Sequence, residues 1–535
     1  MTHALAGGSA ATFAGAVRLV NMIQLRTLFT FSTYALAALA LAQAPWTKLY
    51  WSAEYLAVTQ PVQVAEAHNG DLVLFSRMAD IPDERLRFIR LDADGALLNT
   101  VDIIPPSIVF PYSLVELADG RWMVGGTGID NEGFVMVLDP MGDLLSVREL
   151  PPNADGNVMA LLPLADTTAL ASFWMYPSAF MQACFAVVDP DNLQLTANTL
   201  ILGSRNADIR ASSRCADGGA YTAGWTWYGP GADMHLTRTD STGAVQWMRR
   251  IMSGGQSTSV AGIAEMPDGG ALLGGTYSTA LSESHPFIMR TNASGVPLWA
   301  RYLLDTVPAS VPWTIRAAVL LSPDTFLLAG HSQTSTGIRI ALDTNGTVLY
   351  AGKSNDLGLT DLLLADNGDV LTGVIAPSPF GSGSAQGVLR TGADLATGNC
   401  DPVPVGLVPM PITSTVDTAY TTTVLNYSWQ DVTSLYTQVT PVLTTSDACL
   451  PTQAATINGT SGVRVWPVPA RHHCTVEAPG LRQVQIHDRL GRGLHNVSLA
   501  NVQRYEVELD GLPAGIYHLR VLCDTGWSGH AVVKE

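Results

Sequence analysis

The feature that most constrains this chain is a phrase that returns seven times. A polar turn is followed by a short apolar strand: HNGDLVLFSR at 68–77, ADGRWMVGGTG at 118–128, ADTTALASFW at 165–174, ADGGAYTAGW at 216–225, PDGGALLGGTY at 267–277, SPDTFLLAGH at 322–331 and DNGDVLTGVI at 366–375. The turns, from Asn69 to Asn367, recur about every 50 residues, the period of a propeller blade. A second phrase alternates with the first, a strand, a turn and another strand, from RFIRLDADGALLNTVDI to the degraded QGVLRTGADLATGNC. The apolar runs end at Asn-Gly, Asp-Gly or Pro-Asp turns, which is the hairpin signal. One further apolar strand, such as SVAGIAEM (259–266) or TIRAAVLL (314–321), precedes each first phrase. Four antiparallel strands make one unit, no unit can cover both its faces alone, and seven must therefore stack around an axis. Small pairs such as Gly125-Gly126, Ala223-Gly224, Gly274-Gly275 and Ala329-Gly330 fit a strand that a neighbouring unit approaches closely.

The expected fold is all-β: a seven-bladed β-propeller over 45–400, a Thr/Pro-rich β appendage or linker over 401–462, and a small C-terminal β-sandwich over 463–535. The seventh unit lacks a clear outer strand, and Trp46-Thr-Lys-Leu-Tyr50 resembles the outer strands VQWMRRI and VPLWARYL, so the N-terminal strand is expected to complete it. Such a closure removes open sheet edges. The appendage, TAYTTTVLNYSWQDVTSLYTQVTPVL at its centre, alternates well enough for strands and is expected to pack on the last blade. Its Tyr420, Tyr427, Trp429 and Tyr436 are too many rings for a spacer.

Residues 1–44 read as an export signal, with Met22 as an alternative start. Arg26 precedes the uncharged apolar run Thr27–Ala42, and Ala42-Gln43-Ala44 gives a small-x-small cleavage site. After cleavage no membrane span is expected, because the run is short for one. The net charge of −17 with no basic cluster argues against nucleic acid as a partner. Six cysteines fit an oxidising compartment. Their grouping by domain suggests Cys400–Cys449 and Cys474–Cys523, leaving Cys184–Cys215 by elimination.

Two resemblances follow. The pattern Asp-Gly-Gly-x4-Gly, then Asp-x-x-Gly-x-x-x-Trp, resembles the propeller repeats of many secreted bacterial proteins. The end of the chain resembles the C-terminal sorting domain of type IX secretion cargo. Pro467 and Pro469 stand in its aromatic-Pro-Asn-Pro start, Asp488, Gly491 and Arg492 in its Asp-x-x-Gly-Arg turn, and Leu512, Gly515, Tyr517 and Lys534 in its Leu-x-x-Gly-x-Tyr and terminal-Lys features. Val468 departs from the Asn of that family. The resemblance implies the type IX machinery as a partner, passage through the periplasm, removal of this domain, and release or attachment at the cell surface.

Chemistry is scarce in the text. No GxSxG, HExxH, Walker loop or full EF-hand loop occurs, and no cofactor or metal is expected. Asp92-x-Asp94-Gly95 lies at a hairpin turn found in every unit, so its residues serve the turn rather than calcium. His472-His473 read as a solvated turn. The interstrand loops carry Trp174, Tyr176, Trp225, Trp227, Tyr228, His285, Trp313 and His331, rings beside polar groups that suit a glycan or an extended peptide. The expectation is a secreted or cell-surface binding scaffold. The alternative is a propeller enzyme, either polysaccharide-degrading or a quinone-dependent dehydrogenase, since Asp240-Ser-Thr-Gly243-x-x-x-Trp247 resembles the tryptophan-docking repeat of the latter.

Overall fold

The computed structural model describes residues 46–534 apart from 448–462 and a series of shorter stretches, the longest of them 396–402. The expected signal segment, Tyr228, Cys400 and Cys449 lie outside the described residues. Two units are compact in themselves, Met1–Ala448 and Cys449–Glu535.

Among the described residues, the first unit is all-β and consists of seven antiparallel sheets. Their innermost strands are Gln63–Glu66, Phe110–Glu116, Gly156–Pro163, Ala211–Arg214, Ser257–Glu265, Trp313–Ser322 and Gly358–Leu364, and we number the sheets 1 to 7 in that order. Each innermost strand packs beside the next, and the last packs beside the first, so the sheets close a ring. This is a β-propeller arrangement. Apolar side chains fill the gaps between neighbouring sheets. Phe75, Phe88 and Val101 of sheet 1, for instance, meet Trp122, Phe134 and Met136 of sheet 2, all buried.

The repeated residues have identifiable tasks. Asp92 Oδ1 accepts the backbone N–H of Asp94 and Ala96, and Asp139, Asp240, Asn292 and Asp343 do the same at their own turns. The carboxylate is thus engaged by the hairpin. The turn glycine is where a ring from the preceding sheet docks. Trp46, Trp247 and Trp299 lie against Gly95, Gly295 and Gly346, and a Cβ at Gly95 or Gly346 would come within 2.7 or 2.9 Å of the indole. Asn99, four residues beyond Gly95, does the same job with a hydrogen bond, donating to the Met141 carbonyl at 2.7 Å. Glu116, Glu265 and Glu66, near the ends of innermost strands, accept the N–H of His68, Ala216 and Asp366 on the turn of the preceding sheet.

The N-terminal strand Trp46–Trp51 occupies the slot assigned to it: it pairs antiparallel with Ser384–Thr391, from Trp46↔Arg390 to Tyr50↔Gln386. The small-residue pairs divide their work differently from the expectation. The first glycine faces the next sheet, Gly125 against Val158 and Gly274 against Leu328. The second, in Gly126, Gly275 and Gly330 and likewise Gly224, faces a carbonyl of its own sheet's innermost strand. A β-bulge appears in the innermost strands of sheets 2, 3, 5, 6 and 7.

The segment after residue 402 corrects the sequence reading. It does not pack on the last sheet alone. Val403–Pro404, Leu407–Pro411, Thr415–Asp417, Thr421–Ser428, Gln430–Asp431, Thr437–Val439 and Thr444–Asp447 add an outermost antiparallel strand to sheets 6, 5, 4, 3, 2, 1 and 7 in turn. The chain therefore runs back around the ring as a belt. Between strands it lowers an apolar side chain into each successive intersheet core, among them Ile412, Tyr420, Trp429, Tyr436 and Leu443. This is where the surplus of rings is used.

The second unit is a sheet in which His473–His487 is central. Its first part pairs with Arg464–Trp466, its second with Gly515–Cys523, and Gly493–Glu508 runs along both through three register shifts. No helix among the described residues is long and apolar enough to cross a membrane. Two disulfide expectations fail. Cys184 and Cys215 are thiols buried in separate cores, and Cys474 and Cys523 are buried in one core without a bond between them. Elimination and domain grouping carry no distance information, which a disulfide requires. Burial pushes the Cys184 thiol up to about 12 and so keeps it unreactive.

Candidate functional site

The ring leaves a cavity of about 670 Å³ on its axis, walled by the innermost strands of all seven sheets. This falls within the size range of small-ligand sites. The side chains offered to it are set by the bulges, which turn an extra residue toward the axis. In sheet 6 the register skips from Ile315↔Gly330 to Ala317↔Ala329, leaving Arg316 on the bulge. In sheet 4 the strand is interrupted between Asn206–Ala207 and Ala211–Arg214, and Arg210 falls in the gap. The glycine opposite fixes the equivalence, since Gly330 faces the Thr314 carbonyl and Gly224 faces that of Asp208. Asp208-Ile209-Arg210-Ala211 and Thr314-Ile315-Arg316-Ala317 are thus the same four positions, two sheets apart. Between them, Ala261 of sheet 5 occupies the corresponding bulge.

Arg210 is paired. Its guanidinium lies 2.6 Å from Asp208 Oδ2 and 4.6 Å from the centre of the Trp225 ring. Burial pushes the Asp208 carboxyl up to about 6, against the pull of Arg210. Arg316 is held from below by His331, whose Nε2 accepts from Arg316 Nε at 3.2 Å. Among the described residues no carboxylate pairs with Arg316. Partial desolvation in the cavity, and then the nearby Arg210 charge, lower its pKa, and burial, with Arg316 beside it, lowers that of His331. The neutral imidazole is therefore the acceptor. Asp361, also on the cavity wall, is engaged by the backbone N–H of Val64 at 2.9 Å and of Leu362 at 2.8 Å.

Of the expected site residues, Trp225 and His331 meet this cluster. Trp174 and Tyr176 form an edge-to-face pair at 5.7 Å, and Tyr176 feels the Asp208 charge. Trp313 is buried beneath, paired with Ser332. Trp227 ends the strand Ala220–Trp227, paired with Ala232. His285 does not join them; it is buried against Tyr302 at 5.4 Å and serves packing. Sequence reasoning missed Arg210 and Arg316. The text does repeat Ile-Arg-Ala at 209–211 and 315–317, but only the strand register shows that this arginine is the extra residue.

In the second unit, Pro467, Pro469, Asp488, Gly491 and Arg492 lie outside the described residues. Leu512, Tyr517 and Lys534 converge on one turn: Tyr517 OH donates to the Pro513 carbonyl at 2.6 Å, and Lys534 Nζ donates to the carbonyls of Leu509 and Leu512 at 2.8 and 2.6 Å. Gly515 opens the strand that leaves this turn. His472 and His473 are exposed beside Asp510 and Glu506.

No family model matches the chain, and no curated protein matches it. Among solved structures it is similar to the Dos1 propeller, with 11% identity, a TM-score of 0.40, and 61% of this chain and 76% of that one covered. A protein of unknown function from Dyadobacter fermentans is similar at 12% identity and a TM-score of 0.36, covering 57% of this chain and 98% of the other. The WD40 domain of Toxoplasma gondii coronin is similar at 7% identity and a TM-score of 0.34, covering 68% and 90%. The class of protein is a β-propeller scaffold, and that rests on the strand pairing.

Proposed function

We propose that this chain is a secreted or cell-surface seven-bladed β-propeller, each sheet of the ring being one blade, that binds a ligand rather than transforming one. The observation that carries the reading is the axial cavity, walled by all seven innermost strands and furnished with side chains that differ from sheet to sheet. A regular scaffold with irregular residues on its axis is how propellers present a binding site. The C-terminal unit acts as a small β-sandwich sorting domain for the type IX secretion system. Its support is the sequence likeness together with the turn at 509–513, where Leu512, Tyr517 and Lys534 meet.

Export is tested by deleting 463–535 in a host that has the type IX machinery. The truncated protein is expected to accumulate in the periplasm, and unchanged delivery to the medium or cell surface would refute the sorting role.

A further inference from the structure

We infer that Arg210 and Arg316 form a receptor for a carboxylate group on a small organic ligand, seated in the axial cavity over Ala261. The inference rests on the binding reading above and names the chemistry the site selects. Two guanidiniums stand at the same bulge position of sheets 4 and 6. The intervening sheet 5 offers only the methyl of Ala261, so the space between the two cations is not filled by a side chain at that position. Arg210 is oriented by Asp208 and by the Trp225 face, and Arg316 by the neutral His331.

The balance of charge supports an anion. Arg210 is offset by Asp208 and Asp361 is engaged by backbone N–H groups, and among the described residues no carboxylate pairs with Arg316. Arg316 is exposed to the cavity, so its charge is open to an anion that enters. A carboxylate matches its planar fork with two parallel hydrogen bonds. Ser259 and Ser212 on the same wall supply neutral hydrogen-bonding groups for the body of the ligand. The cavity has room for a sugar acid or a simple organic acid, two sources of one chemistry.

The test is calorimetric titration of the full chain at low salt with D-glucuronate, succinate, D-glucose and inorganic sulfate. Wild type is compared with Arg316→Gln, Arg316→Lys and Ala261→Glu. Saturable binding of glucuronate or succinate is expected, roughly ten- to hundredfold weaker in Arg316→Gln, the loss of a charge-assisted bidentate contact. Arg316→Lys is expected to recover part of it. Ala261→Glu places a carboxylate of the chain's own between the arginines, and is expected to abolish binding while leaving the thermal midpoint unchanged or raised. Glucuronate alone binding identifies a sugar acid; succinate binding equally identifies a general carboxylate site. Sulfate binding as tightly as both, glucose matching glucuronate, unchanged binding in Arg316→Gln, or no binding of any carboxylate overturns the inference. A neutral ligand that binds wild type and Arg316→Gln alike leaves the scaffold reading standing while removing this one.

Discussion

At the scale of single residues, the repeat is a set of small fittings between sheets. The indole of Trp247 lies on Gly295 and that of Trp299 on Gly346, each on the hairpin turn of the following sheet. Gly295 has φ +77°, a conformation that favours glycine, and its Cα faces the indole, so a side chain is excluded twice over. Gly295→Ala is expected to lower stability by about 2–4 kcal/mol, through strain at positive φ and displacement of the ring. Trp247→Ala is expected to cost about 3 kcal/mol, toward the lower end for a large aromatic because the ring is only partly covered. Denaturant melts of the two single variants and the double variant check this. The double variant should lose less than the sum, because both changes act on one contact. These fittings were legible, since Gly, Asp and Trp stood at fixed places in the text. The cavity arginines were not, because a bulge leaves no mark in composition; only the pairing register shows that Arg316 is the extra residue.

At the scale of elements, the belt is the feature the text concealed. Its strands are two to eight residues long, and each pairs with a partner that local pattern cannot name, so a hairpin grammar that found every sheet could not order them. What was readable was chemistry: alternating Thr with too many rings to be a spacer. Trp429 and Tyr436 are those rings, anchored in different cores between sheets 2 and 3 and between sheets 1 and 2. Trp429→Ala and Tyr436→Ala are each expected to cost about 3 kcal/mol, and their effects should nearly add, since the rings share no core. Hydrogen exchange locates the loss. The outer strands Leu144–Glu149 and Leu97–Ile104 should exchange faster once the belt loosens, while Phe110–Glu116 keeps its protection. Equal acceleration at the innermost strand would mean that the belt and the ring open as one unit.

At the scale of the whole molecule, the seam between sheets 7 and 1 is where a linear chain becomes a ring. The outer strand Trp46–Trp51 closes it at the rim, and the axis is closed by polar bonds. Asp361 accepts the N–H of Val64, Thr360 Oγ1 donates to the Val62 carbonyl at 2.9 Å, and Glu66 accepts the N–H of Asp366. Burial pushes the Asp361 carboxyl up to about 6, with the two backbone hydrogen bonds opposing it. An unfolded aspartate titrates near about 3.9. Between those values the folded protein holds a proton that the unfolded chain has released, so stability falls as pH rises from about 4 to about 6 and is level beyond. Asp208, raised to about 6 as well, contributes with the same sign. Asp361→Asn keeps an oxygen for the Val64 N–H and removes the titration, so the fall in stability across this window should shrink. Asp208→Asn should shrink it further, and the pair of changes should leave little of the slope that these two groups create. Urea melts at half-unit steps from pH 4 to pH 7 measure it. A slope unchanged in both variants would show that the seam is held by its neutral bonds, and that neither carboxyl is the protonated partner described here.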